Sequence, residues 1–196
     1  AFWLPRLARF ASWFAETEPA RRSETARLLA EVKGERALDG PAGPFILTAR
    51  ADRIDVMADG RLVITDYKTM GASGLDNLRR RALAGRSPQL PLEAAIAEAG
   101  GFTGVAAATV ARLVYISAAG SEPPGIEVEV REARQDSTPP AMLAAAAVKG
   151  LEQLIAAYDD ATTPYAAIRR PGFDYTYDAY GHLARVGEWS AGGEEE

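Results

Sequence analysis

The chain has 196 residues, 47% hydrophobic and 25% charged, an ordinary balance for a globular protein with a substantial core. It contains no cysteine, which excludes disulfides, zinc–thiolate sites and iron–sulfur ligation by this chain and fits a reducing, cytoplasmic setting. The net charge of −5 gives no overall attraction to nucleic acid, so binding of that kind needs a local basic patch. No apolar run reads as long enough to span a membrane, and none of the start resembles a signal peptide, so no membrane partner is expected. The first residues, Ala1-Phe2-Trp3, are already in an amphipathic pattern without a Met, which is expected of a fragment of a longer protein. Residues 1–190 are expected to form one domain and 191–196, ending in three glutamates, a disordered tail.

In chain order, the spacing of Phe2, Trp3, Leu7, Phe10, Trp13 and Phe14 predicts helix over 2–31, divided at Pro19 into two, the second covering about 20–30. The aromatic stripe reads as core or interface. A short strand is expected at 31–38, then turns at Asp39-Gly40-Pro41 and Gly43-Pro44. Two strands, 45–56 and 61–69, are joined at Asp59-Gly60, a strong hairpin signal. A Gly/Ser loop at 70–74 precedes a helix at 75–84 that carries Arg79, Arg80 and Arg81, with Arg86 just after. Ser87-Pro88 reads as cap and first position of a helix over 88–99, stopped by Gly100-Gly101. Strands are expected at 110–117 and 126–130, and a long Ala-rich helix at 141–158. The remainder reads as irregular. The sum is an α/β domain around a small mixed β-sheet flanked by helices.

The chemistry concentrates in the hairpin. Side chains alternate across a strand, so Asp66 and Lys68 share a face with Ile64 while Tyr67 points the other way. Asp52 lies where it can face Asp66 from the preceding strand. A carboxylate and an ammonium at the end of a core strand are costly unless they pair or bind something. Two carboxylates are the usual protein share of a magnesium site, and the Tyr67 carbonyl can add a third ligand. Such an ion polarises a phosphoryl oxygen and lowers the pKa of its bound water, while Lys68 offsets developing negative charge. Arg53 and Asp55 fall on the opposite face and read as a structural or partner-facing pair. Gln89 and Glu93 are four apart and share a helix face. The arginines at 79, 80, 81 and 86 are candidates for phosphate contact, against the plainer reading of a solvated helix face. No Gly-x-x-x-x-Gly-Lys-Ser/Thr loop and no Gly-x-Ser-x-Gly elbow occur, so neither nucleotide hydrolysis nor serine-nucleophile chemistry is supported.

The series Asp52-Arg53-Ile54-Asp55, Asp66-Tyr67-Lys68-Thr69 and Ser87-Pro88-Gln89-Leu90-Pro91-Leu92-Glu93 resembles the PD-(D/E)xK nuclease superfamily in its RecB-like branch. It is most similar there to the C-terminal nuclease domains of AddB subunits, which belong to bacterial AddAB helicase–nucleases. The similarity extends to Trp13-Phe14, Arg21-Arg22, Gly100-Gly101-Phe102, Thr163-Pro164-Tyr165 and the run from His182 to Trp189. The resemblance implies a restriction-endonuclease-like core and Mg2+-dependent DNA cleavage, with Mn2+ as an alternative ion, in double-strand break repair and recombination. Its implied partners are DNA and an AddA subunit. Asp52, Asp66, Lys68 and Gln89 match the family's catalytic positions, with Asp52, Asp66 and Tyr67 as the implied metal ligands. Ala49 stands where the first motif often has Gly, Met70 where a Gly often follows, and Glu93 where the superfamily has Tyr. The upstream His that often adds a metal ligand is absent from this chain, and the lone His182 does not match it. AddB proteins can carry an iron–sulfur cluster, to which a chain without cysteine adds no ligand. The alternative reading is a nuclease fold that binds DNA or a partner without cutting, inert as an isolated fragment.

Overall fold

In the computed structural model, which describes residues 3–132 and 137–164, the hairpin's alternating pattern is realised as two adjacent strands of a five-stranded sheet. The order along the chain is α1 (Trp3–Glu24), β1 (Thr25–Gly40), β2 (Gly43–Met57), β3 (Leu62–Lys68), α2 (Ala72–Leu83), α3 (Gln89–Glu98), β4 (Val110–Ser117), β5 (Ile126–Glu129) and α4 (Pro140–Asp159). The chain divides into two compact units, 1–159 and 160–196. All of these elements belong to the first. Of the second, the described residues form a turn in which Asp160 Oδ1 accepts from the Thr162 backbone N–H and hydroxyl, both at 2.8 Å. The segments Asp174–Asp178 and His182–Trp189 and the tail 191–196 lie outside the described residues.

The sheet runs β1-β2-β3-β4-β5. Neighbours are antiparallel except β3 and β4, which are parallel. A parallel pair needs a crossover, and α2 and α3 supply it. One face of the sheet carries Ile54, Ile64, Leu113 and Tyr115, which pack with Leu75 and Ala82 of α2, Leu90 and Ile96 of α3, and Leu143, Val148 and Ile155 of α4. The other face carries Val63, Val114 and Ile116 against Phe10 and Trp13 of α1. The fold is therefore three layers, α/β/α, within the first unit, as α/β patterning around a mixed sheet predicts. Ile54, Ile64 and Leu113 are fully buried. Each contributes about 1.5–3 kcal/mol of hydrophobic stabilisation.

At the hairpin turn Gly60 has φ 83°, the left-handed conformation that favours glycine. Gly125 matters for a different reason: a Cβ there would run into the indole of Trp13. That contact seats α1 against the loop between β4 and β5. Arg9 Nε adds a hydrogen bond to the carbonyl of Gly120 at 2.9 Å.

Five local expectations change. The second N-terminal helix does not form: α1 runs unbroken through Pro19, and residues 25–30 belong to β1. Thr25 to Gly40 pairs along β2 down to Gly43, so cross-strand hydrogen bonding and packing override the helical spacing. The expected short strand at 31–38 is part of this longer one. α2 begins at Ala72, inside the expected loop. Ser87 does not cap α3: Pro88 is the cap residue, and no side chain bonds the helix start. Finally, α4 is long and apolar enough to cross a membrane by length and composition, contrary to the expectation that no such run exists. Its Leu143, Ala144, Val148 and Ile155 are buried in the core, the environment of a packed amphipathic helix.

Candidate active site

β3 carries the centre of the site. Asp66 follows the buried run Leu62–Thr65 on the strand face that packs under α3, which puts its carboxylate at 3% exposure. Lys68, two residues on and on the same face, reaches back with its Nζ 3.0 Å from Oδ1 and 2.9 Å from Oδ2 of Asp66. Ser117 Oγ donates to the Met70 carbonyl at 2.7 Å and holds the chain as it leaves the strand.

Asp52 comes from β2. Its Oδ2 accepts the backbone N–H of Tyr67 at 2.9 Å, a bond that ties it to the residue between Asp66 and Lys68. The β1–β2 ladder pairs Ala30 with Arg53 and Val32 with Ala51 but is interrupted between them, at the level of Asp52. There Glu31 has φ 55°, a left-handed conformation costly for a residue with a Cβ. Backbone strain of this kind collects at functional sites. Sequence patterning carried no signal for it, because Glu31 looks like any strand residue.

α3 supplies the third side. Gln89, at its first position, accepts from Lys68 Nζ through Oε1 at 3.1 Å. Its Nε2 donates to Asp66 Oδ1 at 2.6 Å and to Glu93 Oε1 at 3.2 Å. Glu93, one turn on, is 3% exposed. Its Oε2 is buried without a hydrogen-bond partner, and so is Asp66 Oδ2, beside which the Lys68 ammonium lies as an ion pair at 2.9 Å. Burial pushes the Glu93 carboxyl up to about 7; Gln89 opposes this, and the charges of Asp66 and Asp52 add to it. Burial also raises Asp66, against the pull of Lys68 and Gln89, with Asp52 adding to the rise. Tyr115 lies beside Asp66 across the β3–β4 pairing, and burial first, then the charges of Asp66 and Glu93, raise its phenol. Strand alternation puts Tyr115 on the face of Leu113 but carries no signal of its acidic neighbours.

The residues expected on the opposite face are there. Arg53, 3% exposed, binds Asp55 through Nε at 2.5 Å and Nη2 at 2.9 Å and reaches Glu18 of α1 at 2.8 Å. Arg53 and Asp55 are therefore a structural pair. The arginines proposed for phosphate contact are partly committed elsewhere: Arg79 and Arg80 both pair with Asp76 at 2.7 Å, and Arg79 also donates to the Arg131 carbonyl. His182 lies outside the described residues.

The family model of the PD-(D/E)XK nuclease superfamily matches residues 1–173. The chain belongs to that superfamily. No curated protein matches it closely enough to serve as a named relative. Members of the superfamily are generally nucleases, hydrolases acting on nucleic-acid phosphodiesters, and the mixed sheet with flanking helices is consistent with that fold.

Such nucleases generally use Mg2+, so the acids of this nuclease fold must be tested against a hard cation. Among the described residues no three acidic or histidine side chains stand in position to hold a metal ion as they lie. The Gln89 amide nitrogen sits within hydrogen-bond reach of both Asp66 and Glu93, and Lys68 closes on Asp66. The donor chemistry does fit: among the described residues, the buried side-chain atoms without hydrogen-bond partners are the carboxylate oxygens Asp66 Oδ2 and Glu93 Oε2, the ligand type magnesium prefers.

Proposed function

We propose that this chain is the DNA-cleaving module of an AddB-type helicase–nuclease subunit, a Mg2+-dependent phosphodiesterase. The observation that carries the cleavage reading is the convergence of Asp66, Lys68 and Gln89, with two buried carboxylate oxygens left without hydrogen-bond partners. Asp66 and Asp52, with the Tyr67 carbonyl, would hold the ion. When bound, the ion supplies Lewis-acid polarisation of a phosphoryl oxygen. Asp52 is oriented for that role by the Tyr67 N–H. Lys68 places a cation beside the scissile phosphate and offsets the negative charge that develops there. Gln89 holds the lysine and Asp66 in one constellation, so the charge is positioned before the substrate arrives. The AddB-type assignment, the AddA partner, the role in double-strand break recombination and the cytoplasmic location rest on the motif series and on the absence of cysteine.

The test is Mg2+-dependent cleavage of linear DNA by the protein with and without Asp66→Ala. Loss of cleavage with binding retained is expected; undiminished cleavage would sink the assignment. A second reading, a nuclease fold that binds without cutting, is favoured by the closed Lys68–Asp66 pair and by the lack of three acids in ligating position. DNA binding with no cleavage in either Mg2+ or Mn2+ would decide for it.

A further inference from the structure

We infer that Glu93 is a further carboxylate of the divalent-cation site, contributed by α3 to the same ion as Asp66. The inference rests on the cation-dependent reading above and extends it to Glu93, which stands where the superfamily motif has Tyr.

The buried residues of α3 are Leu90, Pro91, Glu93, Ala94, Ala95, Ile96 and Ala97; Glu93 is the one charged side chain among them. A leucine at this position would bury without any desolvation cost, whereas a carboxylate there destabilises the fold unless positive charge meets it. Glu93 is only partly met. Oε1 accepts one hydrogen bond, from Gln89 Nε2, and Oε2 is buried with none. The same Gln89 nitrogen donates to Asp66, so a single small donor lies between two carboxylates that come from different elements. Asp66 has a second oxygen without a hydrogen bond. The hydrogens of Gln89 and the ammonium of Lys68 thus occupy the place of positive charge between acids that neither fully satisfies. Asp52, Asp66 and Glu93 set three carboxylates against the single ammonium of Lys68, and an oxygen-preferring divalent cation is the ligand that suits such a donor set.

The experiment is a titration of the metal-free full chain with Mn2+, followed by calorimetry and by the Mn2+ electron-spin signal, for the wild type, Glu93→Gln and Asp66→Asn. Glu93→Gln keeps shape and hydrogen bonding and removes the charge. We expect it to weaken Mn2+ binding by at least about tenfold, with an unchanged circular-dichroism spectrum and a metal-free Tm no lower than wild type. Asp66→Asn is expected to abolish the site. Wild-type affinity in Glu93→Gln, with binding lost in Asp66→Asn, overturns the inference and leaves the proposed function standing. Failure of the wild type to bind Mn2+, or wild-type affinity in Asp66→Asn, overturns both. Glu93→Met, an unbranched apolar side chain suited to a buried helix position, repeats the test with the same outcomes should the Gln variant not fold.

Discussion

The backbone N–H of Tyr67 donates to Asp52 Oδ2 at 2.9 Å, so the strand that carries Asp66 and Lys68 also aims the third member of the hairpin's charged set. Tyr67 faces the other way with its ring, against Phe14 of α1 at 6.4 Å between centroids. Its hydroxyl lies 3.5 Å from Arg53 Nη1. One residue therefore joins the sheet face that carries Asp66 and Lys68 to the helix packed behind it.

Asp66→Asn should separate stability from activity. Burial outweighs Lys68 and Gln89 and raises the Asp66 carboxyl, so the fold disfavours the charged form relative to the neutral one. A neutral isostere is expected to raise the metal-free Tm by about 2–4 °C, the shift that about 1 kcal/mol produces in a domain of this size. DNA cleavage should fall by at least about 100-fold. Thermal melts and a cleavage assay on the same preparation check both.

Lys68→Met should do the reverse to stability. It leaves Asp66 buried beside no cation, and breaking a buried pair is expensive. Lys68 is 27% exposed, so the cost is reduced by solvent to roughly 1–3 kcal/mol. Cleavage is expected to drop by about 100- to 1000-fold. Lys68→Arg should not restore it, because the planar guanidinium cannot occupy the ammonium's position between Asp66 and Gln89. Urea denaturation of the variants, alongside cleavage rates, measures these effects.

Acid should loosen α1 through Glu18. Burial pushes the Glu18 carboxyl up, but the hydrogen bonds and charges of Arg53 and Arg21 outweigh it and hold the group below its ordinary value of 4.5. A lowered folded-state pKa means that this contribution is complete above pH 4.5 and is lost as pH falls through the folded value. The stability advantage of wild type over Glu18→Gln should therefore be full at pH 6 to 7 and shrink steadily below about 4.5. Paired melting curves across that range check the sign; an advantage that grows toward acid pH would contradict it.

Gly125→Ala should unseat α1 without touching the face that carries Asp66 and Lys68. The added methyl meets the Trp13 ring, which is held against Phe10 and under the Arg21 guanidinium. Overpacking of this kind costs about 1–3 kcal/mol. The expected signature is a lower denaturation midpoint with an altered tryptophan emission spectrum.

Much of the candidate site is legible in residues 50–69 and 87–93. The alternation of Ile64, Asp66 and Lys68, the Asp59-Gly60 turn and the four-residue spacing of Gln89 and Glu93 all follow from the fixed periods of strand and helix. The same period of two separates Leu113 and Tyr115 from Val114 and Ile116 in the structure. Residues 25–30 were misread because their spacing suits either element, and only their partners on β2 choose the strand. Ser87 was misread because capping needs a side-chain geometry that spacing does not specify.

What the sequence by itself determined is which polar and charged residues share a face: Asp66 with Lys68, Gln89 with Glu93, and Arg53 with Asp55 on the other side. Periodicity is a local property of the backbone, so it survives without knowledge of the fold. The tertiary structure decided what those faces meet. It buried Glu93 under α3 with an oxygen left without a partner, set Gln89 between two carboxylates and gave Arg53 to Glu18. Burial and pairing depend on elements far apart in the chain, and these set the electrostatic cost that marks the site.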